Sequence, residues 1–157
     1  MLRKAILNSL CYKIKKLKSK VQYMHVVLQP SPVVTYKMRV LLPNKKTIDF
    51  GSHEQIDYTD HRNPELMRAH LLRCGAQIPK GVRTETDPYE IHKGMLYADT
   101  STEENWDDPF RAGYWERWVL WSYPSVEQAK LWMTMRKGIL FMPTEEMLWF
   151  YDDQKRY

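Results

Sequence analysis

The chain has 157 residues, of which 43% are hydrophobic and 13% aromatic, so it can bury one core with an appended arm and does not have the composition of a disordered tail. Its net charge of +5 is divided unevenly. Residues 1–48 hold eleven basic side chains and no acid, and the rest of the chain is net acidic, which makes the front end the natural partner of a negative surface. Cys11 and Cys74 are the only cysteines; with no CxxC pair they exclude a disulfide scaffold and fit a reducing compartment. No apolar run reaches membrane-spanning length, and Asn8 and Ser9 break the stretch that a signal peptide would need.

Residues 2–24 carry Leu7, Leu10, Ile14, Leu17, Val21 and Met24 at alternating spacings of three and four, the seam of an amphipathic helix. Its other faces hold Lys13, Lys15, Lys16, Lys18 and Lys20, which form a candidate polyanion-binding cluster. One such helix cannot cover its own stripe. It docks on its own domain, on a partner protein or on a membrane surface, and the lack of Trp and Phe in the stripe favours a protein. Pro30 and Pro32 mark a hinge, which sets the arm at 1–29 and a single domain at 33–157.

The segment VVTYKMRVLL alternates, with Val34, Tyr36, Met38 and Val40 on one side and Thr35, Lys37 and Arg39 on the other. It predicts the first strand of a hairpin over about 33–50 that returns through TIDFG and ends at Gly51. Asn63, Pro64 and Glu65 supply the cap, the N1 proline and the first-turn acid of a helix that runs to Cys74 and stops at Gly75. Residues 76–103 read as a long insertion loop, with at most a short strand at Met95–Tyr97. A helical region follows from about Ala112 to Trp121. Ser125 and Gln128 then open a helix that Gly138 closes, a short strand occupies about 139–142, and Thr144 caps a last helix ending near Asp153. The expected fold class is α+β: a small antiparallel sheet packed with several helices.

No phosphate-binding loop, GxSxG or HExxH motif occurs. His53, Asp57, Asp60, His61 and His70 carry metal-binding chemistry, yet their spacing matches no metal motif. Asp57, Thr59 and His61 read instead as a structural turn between hairpin and helix. Glu103, Glu104, Asp107 and Asp108 read as a solvated turn, and nothing near Cys74 in sequence lowers its pKa. No catalytic residue, metal ligand, cofactor or small-molecule substrate is expected. The segment ENWDDPFRAGYWERWVLW gathers Trp106, Phe110, Tyr114, Trp115, Trp118 and Trp121 within sixteen residues, with Arg111 and Arg117 among them. On a helix these rings cover more than one face. One face fills the core, and Trp115, Trp118 and Trp121 are candidate protein-binding residues together with Leu7, Leu10, Ile14, Leu17 and Val21.

Phe50, Gly51, Asp57, Tyr58, Thr59, His61, Arg73, Glu104, Asn105, Trp106, Ala112, Gly113, Trp115, Trp118, Leu120, Trp121 and Pro124 together resemble a family of small uncharacterised proteins of nucleocytoplasmic large DNA viruses. That pattern is an FG hairpin, a DYTxH segment, a basic helix and an ENW…AG[FY]WxRWxLW…P[ST] block, and it spans about residues 33–130. Cys74 stands where the family pattern has His, and residues 75–103 intervene where the pattern joins helix and block almost directly. The resemblance carries no activity. It implies a virion component, and with the basic arm it points to a minor capsid protein, found in the virion and in host cytoplasm during assembly. Its partners would be other capsid proteins, with nucleic acid at the N-terminal lysines as the alternative.

Overall fold

The structure, a computed structural model, describes residues 4–6, 8 and 22–143. Residues 4–6 and 8 are helical. Leu7, Leu10, Ile14, Leu17 and Val21, the lysines at 13, 15, 16, 18 and 20, and the expected last helix all lie outside the described residues.

The chain is α+β. Four strands, β1 (Met24–Pro30), β2 (Tyr36–Leu41), β3 (Thr47–Ser52) and β4 (Ile139–Phe141), form one sheet in the order β3-β2-β1-β4. The hairpin pairs antiparallel with Arg39 opposite Asp49, and β1 pairs antiparallel with β2 through Val27 opposite Leu41. β4 adds parallel to β1, with Met24 opposite Ile139, so the sheet is mixed rather than purely antiparallel.

β1 corrects the expected organisation. Residues 24–30 are neither the end of a helix nor part of an arm ending at 29; they form an inner strand with a neighbour on each side. Val26, on the core face of this strand, and Val27, on the opposite face, are both buried. The run HVVL is short and apolar, and at that length periodicity does not separate strand from helix. Pro30 and Pro32 do not form a hinge either. Pro30 is the last residue of β1, and residues 31–35 make the turn into β2, closed by Ser31 N–H donating to the Lys37 carbonyl. Val33 and Val34 therefore lie in this turn, exposed, and the hairpin strand begins at Tyr36.

Among residues 22–143, seven helical segments surround the sheet. The first is α1 (Tyr58–His61) and the second α2 (Pro64–Arg73). Asn63 caps α2 by accepting from the N–H groups of Glu65 and Leu66, with Pro64 at a position where no N–H is needed. The expected loop at 76–103 contains α3 (Lys80–Thr84) and α4 (Pro88–Met95), and Met95 ends a helix instead of starting a strand. Asp87 caps α4 by accepting from Glu90 N–H, a local signal the sequence reading passed over. The lobe closes on itself where Ala76 bridges Ser101, and it contributes Ile91, Met95 and Ala98 to the core. Then come α5 (Ala112–Trp115), a π-helical turn (Glu116–Leu120) and α6 (Val126–Lys137). Ser125 accepts from Gln128 N–H at the start of α6, and Gly138 ends it at φ +67°. Among the described residues no helix is long and apolar enough to cross a membrane.

Deletion distinguishes the two arm boundaries. A chain beginning at residue 22 is expected to keep a cooperative thermal transition, and one beginning at residue 31 to lose it with β1. Circular dichroism melts of the two truncations check this.

Candidate functional site

The Trp-rich block runs through the centre of the domain. Trp115 and Trp118 are fully buried, Trp121 is 4% exposed, and Arg117, Val119 and Leu120 are buried with them. The segment is enclosed although it carries Glu116 and Arg117, and it packs between β3 and α6. Trp115, Trp118 and Trp121 are therefore not a free binding surface: the neighbouring elements that were expected to leave one face open cover all of it. Phe110 is the ring of the block that stays exposed. The indole N–H of Trp115 donates to the Pro109 carbonyl at 2.7 Å, and that of Trp118 to the Trp106 carbonyl at 2.8 Å.

Arg117 is the unexpected member. Arg117 is 1% exposed and forms no ion pair among the described residues, although the charge of Asp99 favours its protonated form. It donates instead to the carbonyls of Met95 (2.6 Å), Ala98 (3.1 and 3.3 Å) and Trp121 (2.8 Å). Its carbon lies 4.3 Å from the Trp118 ring centroid and 5.2 Å from that of Trp106. Burial pushes its pKa down to about 9, still above neutrality, so the charge persists and the three carbonyls meet it.

The DYTDH segment converges on Lys37. Its ammonium lies 2.7 Å from Asp57 Oδ2, 2.9 Å from Asp60 Oδ2 and 2.6 Å from the Gln55 carbonyl. Asp57 also caps α1, accepting from Thr59 N–H and from the Thr59 hydroxyl, while Asp60 accepts from Asp57 N–H. Burial opposes the Lys37 charge, but the bonds to Asp57 and Asp60 outweigh it and hold the pKa above its ordinary value. The Asp57 N–H first, and Lys37 second, hold the Asp60 carboxyl below its ordinary range. His61 accepts from Asn63 N–H at Nδ1 and packs beside Tyr58 and Trp121. The oxygens a metal would need are thus engaged with Lys37 and backbone donors. Among the described residues no three of His, Cys, Asp and Glu are grouped to hold an ion.

A Cys–His pair escaped the sequence reading. Cys74 Sγ is 3.5 Å from His70 Nε2, and His70 Nδ1 is 3.3 Å from the Gln55 side-chain nitrogen. Nucleophile, ring and orienting amide stand in a row, as thiol catalysis requires. The electrostatics oppose it. His70 is a poor base for the thiol, because burial disfavours the charged imidazolium that a proton transfer would form. Burial pushes the Cys74 thiol up, with Glu104, Glu116 and Glu103 acting in the same direction. Burial also lowers His70 to about 4, with Arg73, His61 and Arg117 assisting, and its ring stacks on Trp121 at 3.7 Å. Spacing of four on α2 was the available sequence signal.

One surface cleft brings aromatic and charged side chains together. Leu96, Tyr97 and Asp99, just after α4, meet Trp132, Arg136 and Lys137 of α6 around a volume of about 180 Å³. A second cleft, of about 220 Å³, adjoins Tyr97 on the side of Gly81, Val82 and Lys93.

Residues 26–74, less than half of the chain, match a family described as a family of unknown function, DUF5754. The match runs from β1 to the end of α2 and so takes in the FG hairpin and the DYTDH segment. No match was found among curated proteins or solved structures.

Replacing Arg117 with Ala is expected to cost about 3 kcal/mol or more, because buried carbonyls lose their donor. Arg117→Lys should recover only part, since one ammonium cannot reproduce the fork. Urea unfolding measures both. Acid should also destabilise the fold. The unfolded chain protonates His70 at its ordinary pKa of 6.5 and the folded chain only near 4, so stability is full above 6.5 and falls toward 4. His61 and His92, both lowered first by burial, act in the same sense. Unfolding midpoints between pH 7 and pH 4 should fall, and less steeply in His70→Phe.

Proposed function

We propose that this chain is a non-enzymatic virion structural protein, a minor capsid protein that binds neighbouring capsid proteins. The observation that carries the reading is the apolar surface left on the folded domain. Leu131 and Met135, four residues apart on α6, are 63% and 68% exposed, and Val34 in the β1–β2 turn is 87% exposed. Side chains four apart on a helix form one continuous apolar strip, the kind of surface a protein partner covers. This strip replaces the Trp block as the body's contact surface. The N-terminal stripe of Leu7, Leu10, Ile14, Leu17 and Val21 would supply a second contact.

Two features support a binding role over catalysis. The carboxylates of the DYTDH segment are spent on holding Lys37, and burial disfavours both the Cys74 thiolate and the His70 imidazolium. The viral assignment rests on the motif resemblance alone. A second reading, nucleic-acid binding through Lys13, Lys15, Lys16, Lys18 and Lys20, is favoured by the charge segregation, with eleven basic and no acidic residues in 1–48.

Leu131→Asp with Met135→Asp, and separately Leu10→Asp with Leu17→Asp, should each leave the melting transition unchanged and lower the copy number in gradient-purified particles at least tenfold. Normal incorporation of both variants, read by quantitative mass spectrometry, would overturn the proposal. If the lysine reading holds instead, changing the five lysines to Gln should reduce the slope of log affinity against log salt by about 4.

A further inference from the structure

We infer that the cleft between the 76–103 lobe and α6 is a base-sized site, which takes one base of a single strand or of a free nucleotide, with the sugar and phosphate at its open rim. The argument begins with its walls. Tyr97 is 72% exposed on one side of the opening, and Trp132 is half-buried on the other. Tyr97 makes no ring contact with Trp132, whereas Trp132 is stacked from within on Trp118, at 5.1 Å and 25°. Trp118 is fixed in turn by its bond to the Trp106 carbonyl and by Arg117. Trp132 is thus anchored from the core side by Trp118, has Tyr123 at 6.4 Å and the Lys137 ammonium at 5.7 Å, and lines the cleft with the part of its ring that stays accessible. A flat aromatic ligand can stack on such a platform at little entropic cost.

The charges complete the chemistry. Arg136 is exposed and makes no hydrogen bond or ion pair among the described residues. The Lys137 ammonium, which lines the cleft, lies 4.0 Å from the Trp118 ring centroid and 5.7 Å from that of Trp132. A guanidinium and an ammonium that both line a cleft with an aromatic wall match a phosphate ester attached to a base. Asp99 offers the one carboxylate of the lining, an acceptor for a base amino or imino group.

Size narrows the ligand. At about 180 Å³ the cleft has room for about six waters, and it is smaller than the roughly 300 Å³ at which drug-sized pockets begin. One planar base fits and a paired duplex does not. The N-terminal lysines, in contrast, carry charge without adjacent Trp rings, so they bind phosphate without reading a base. The cleft goes beyond the assembly role: a protein partner on Leu131 and Met135 requires no nucleotide.

The test uses the full chain and three probes: guanosine monophosphate, a fluorescein-labelled single-stranded octanucleotide, and the same strand with abasic sites. Anisotropy is read for the octamers and tryptophan quenching for the mononucleotide. The inference requires that the normal octamer bind at least tenfold tighter than the abasic one. It also requires that Tyr97→Ala and Arg136→Ala each weaken binding about tenfold with the melting transition unchanged. Both residues are exposed, so neither change should unfold the chain. Gln at the five N-terminal lysines should preserve the preference for bases over abasic sites while lowering overall affinity. Mononucleotide binding lost in the same two variants identifies a site for a free nucleotide, and binding of the strand alone identifies a strand site. Equal binding of normal and abasic strands, unchanged binding in Tyr97→Ala and Arg136→Ala, or no binding of any probe overturns the inference.

Discussion

The described domain depends on one buried charge. The Arg117 guanidinium bonds the carbonyls of Met95 and Ala98, at the end of the 76–103 lobe, to that of Trp121, at the end of the π-helical turn. Isolated, such a charge would be costly to bury; here its donors are met by fixed carbonyls and its faces by indole rings. The lobe is consequently tied to the Trp-rich segment by directional bonds as well as by apolar packing. Trp118 sits at the junction. It stacks on Trp132 of α6, lies near the Lys137 ammonium and packs against Arg117.

This arrangement changes the meaning of the aromatic residues. A cluster of tryptophans in a small basic protein suggests a sticky surface, and here it is the core. The exposed chemistry lies elsewhere: in Leu131 and Met135 along α6, and in Tyr97, Arg136 and the accessible part of the Trp132 ring around the cleft. Both surfaces are borne by α6, whose inner side is fastened through Ala129 and Met133. A helix held this firmly on one side can present contacts on the others without moving.

The DYTDH segment shows the same economy on the sheet side. Lys37 leaves the hairpin and is held by Asp57, Asp60 and the Gln55 carbonyl, which fixes the entry to α1 against the sheet. Arg39, two residues on, forks onto Asp49 across the hairpin at 2.8 Å through both oxygens. Glu116 reaches from the π-helical turn to accept Gly51 N–H. Gly51 stands at φ +75°, and a Cβ there would come 2.6 Å from the Leu120 side chain. The FG of the hairpin is therefore a packing requirement as well as a turn.

Local chemistry was enough to read several elements from the residues alone. Asn63–Pro64 and Gly75 bound α2, Ser125 and Gly138 bound α6, and alternation around Met38 and Val40 marks β2, because caps and strand alternation act over a few residues. The charge segregation is likewise a property of the sequence. Tertiary structure decided the rest. HVVL became an inner strand only because β4, more than a hundred residues later, supplies its second edge. The 76–103 segment became a lobe because Arg117 binds its carbonyls, and its helices, five and eight residues long, are too short to show a period. Tyr97, Asp99, Trp132 and Arg136 became one cleft only when the lobe met α6. Proximity across such separations is set by packing, and spacing along the chain does not encode it.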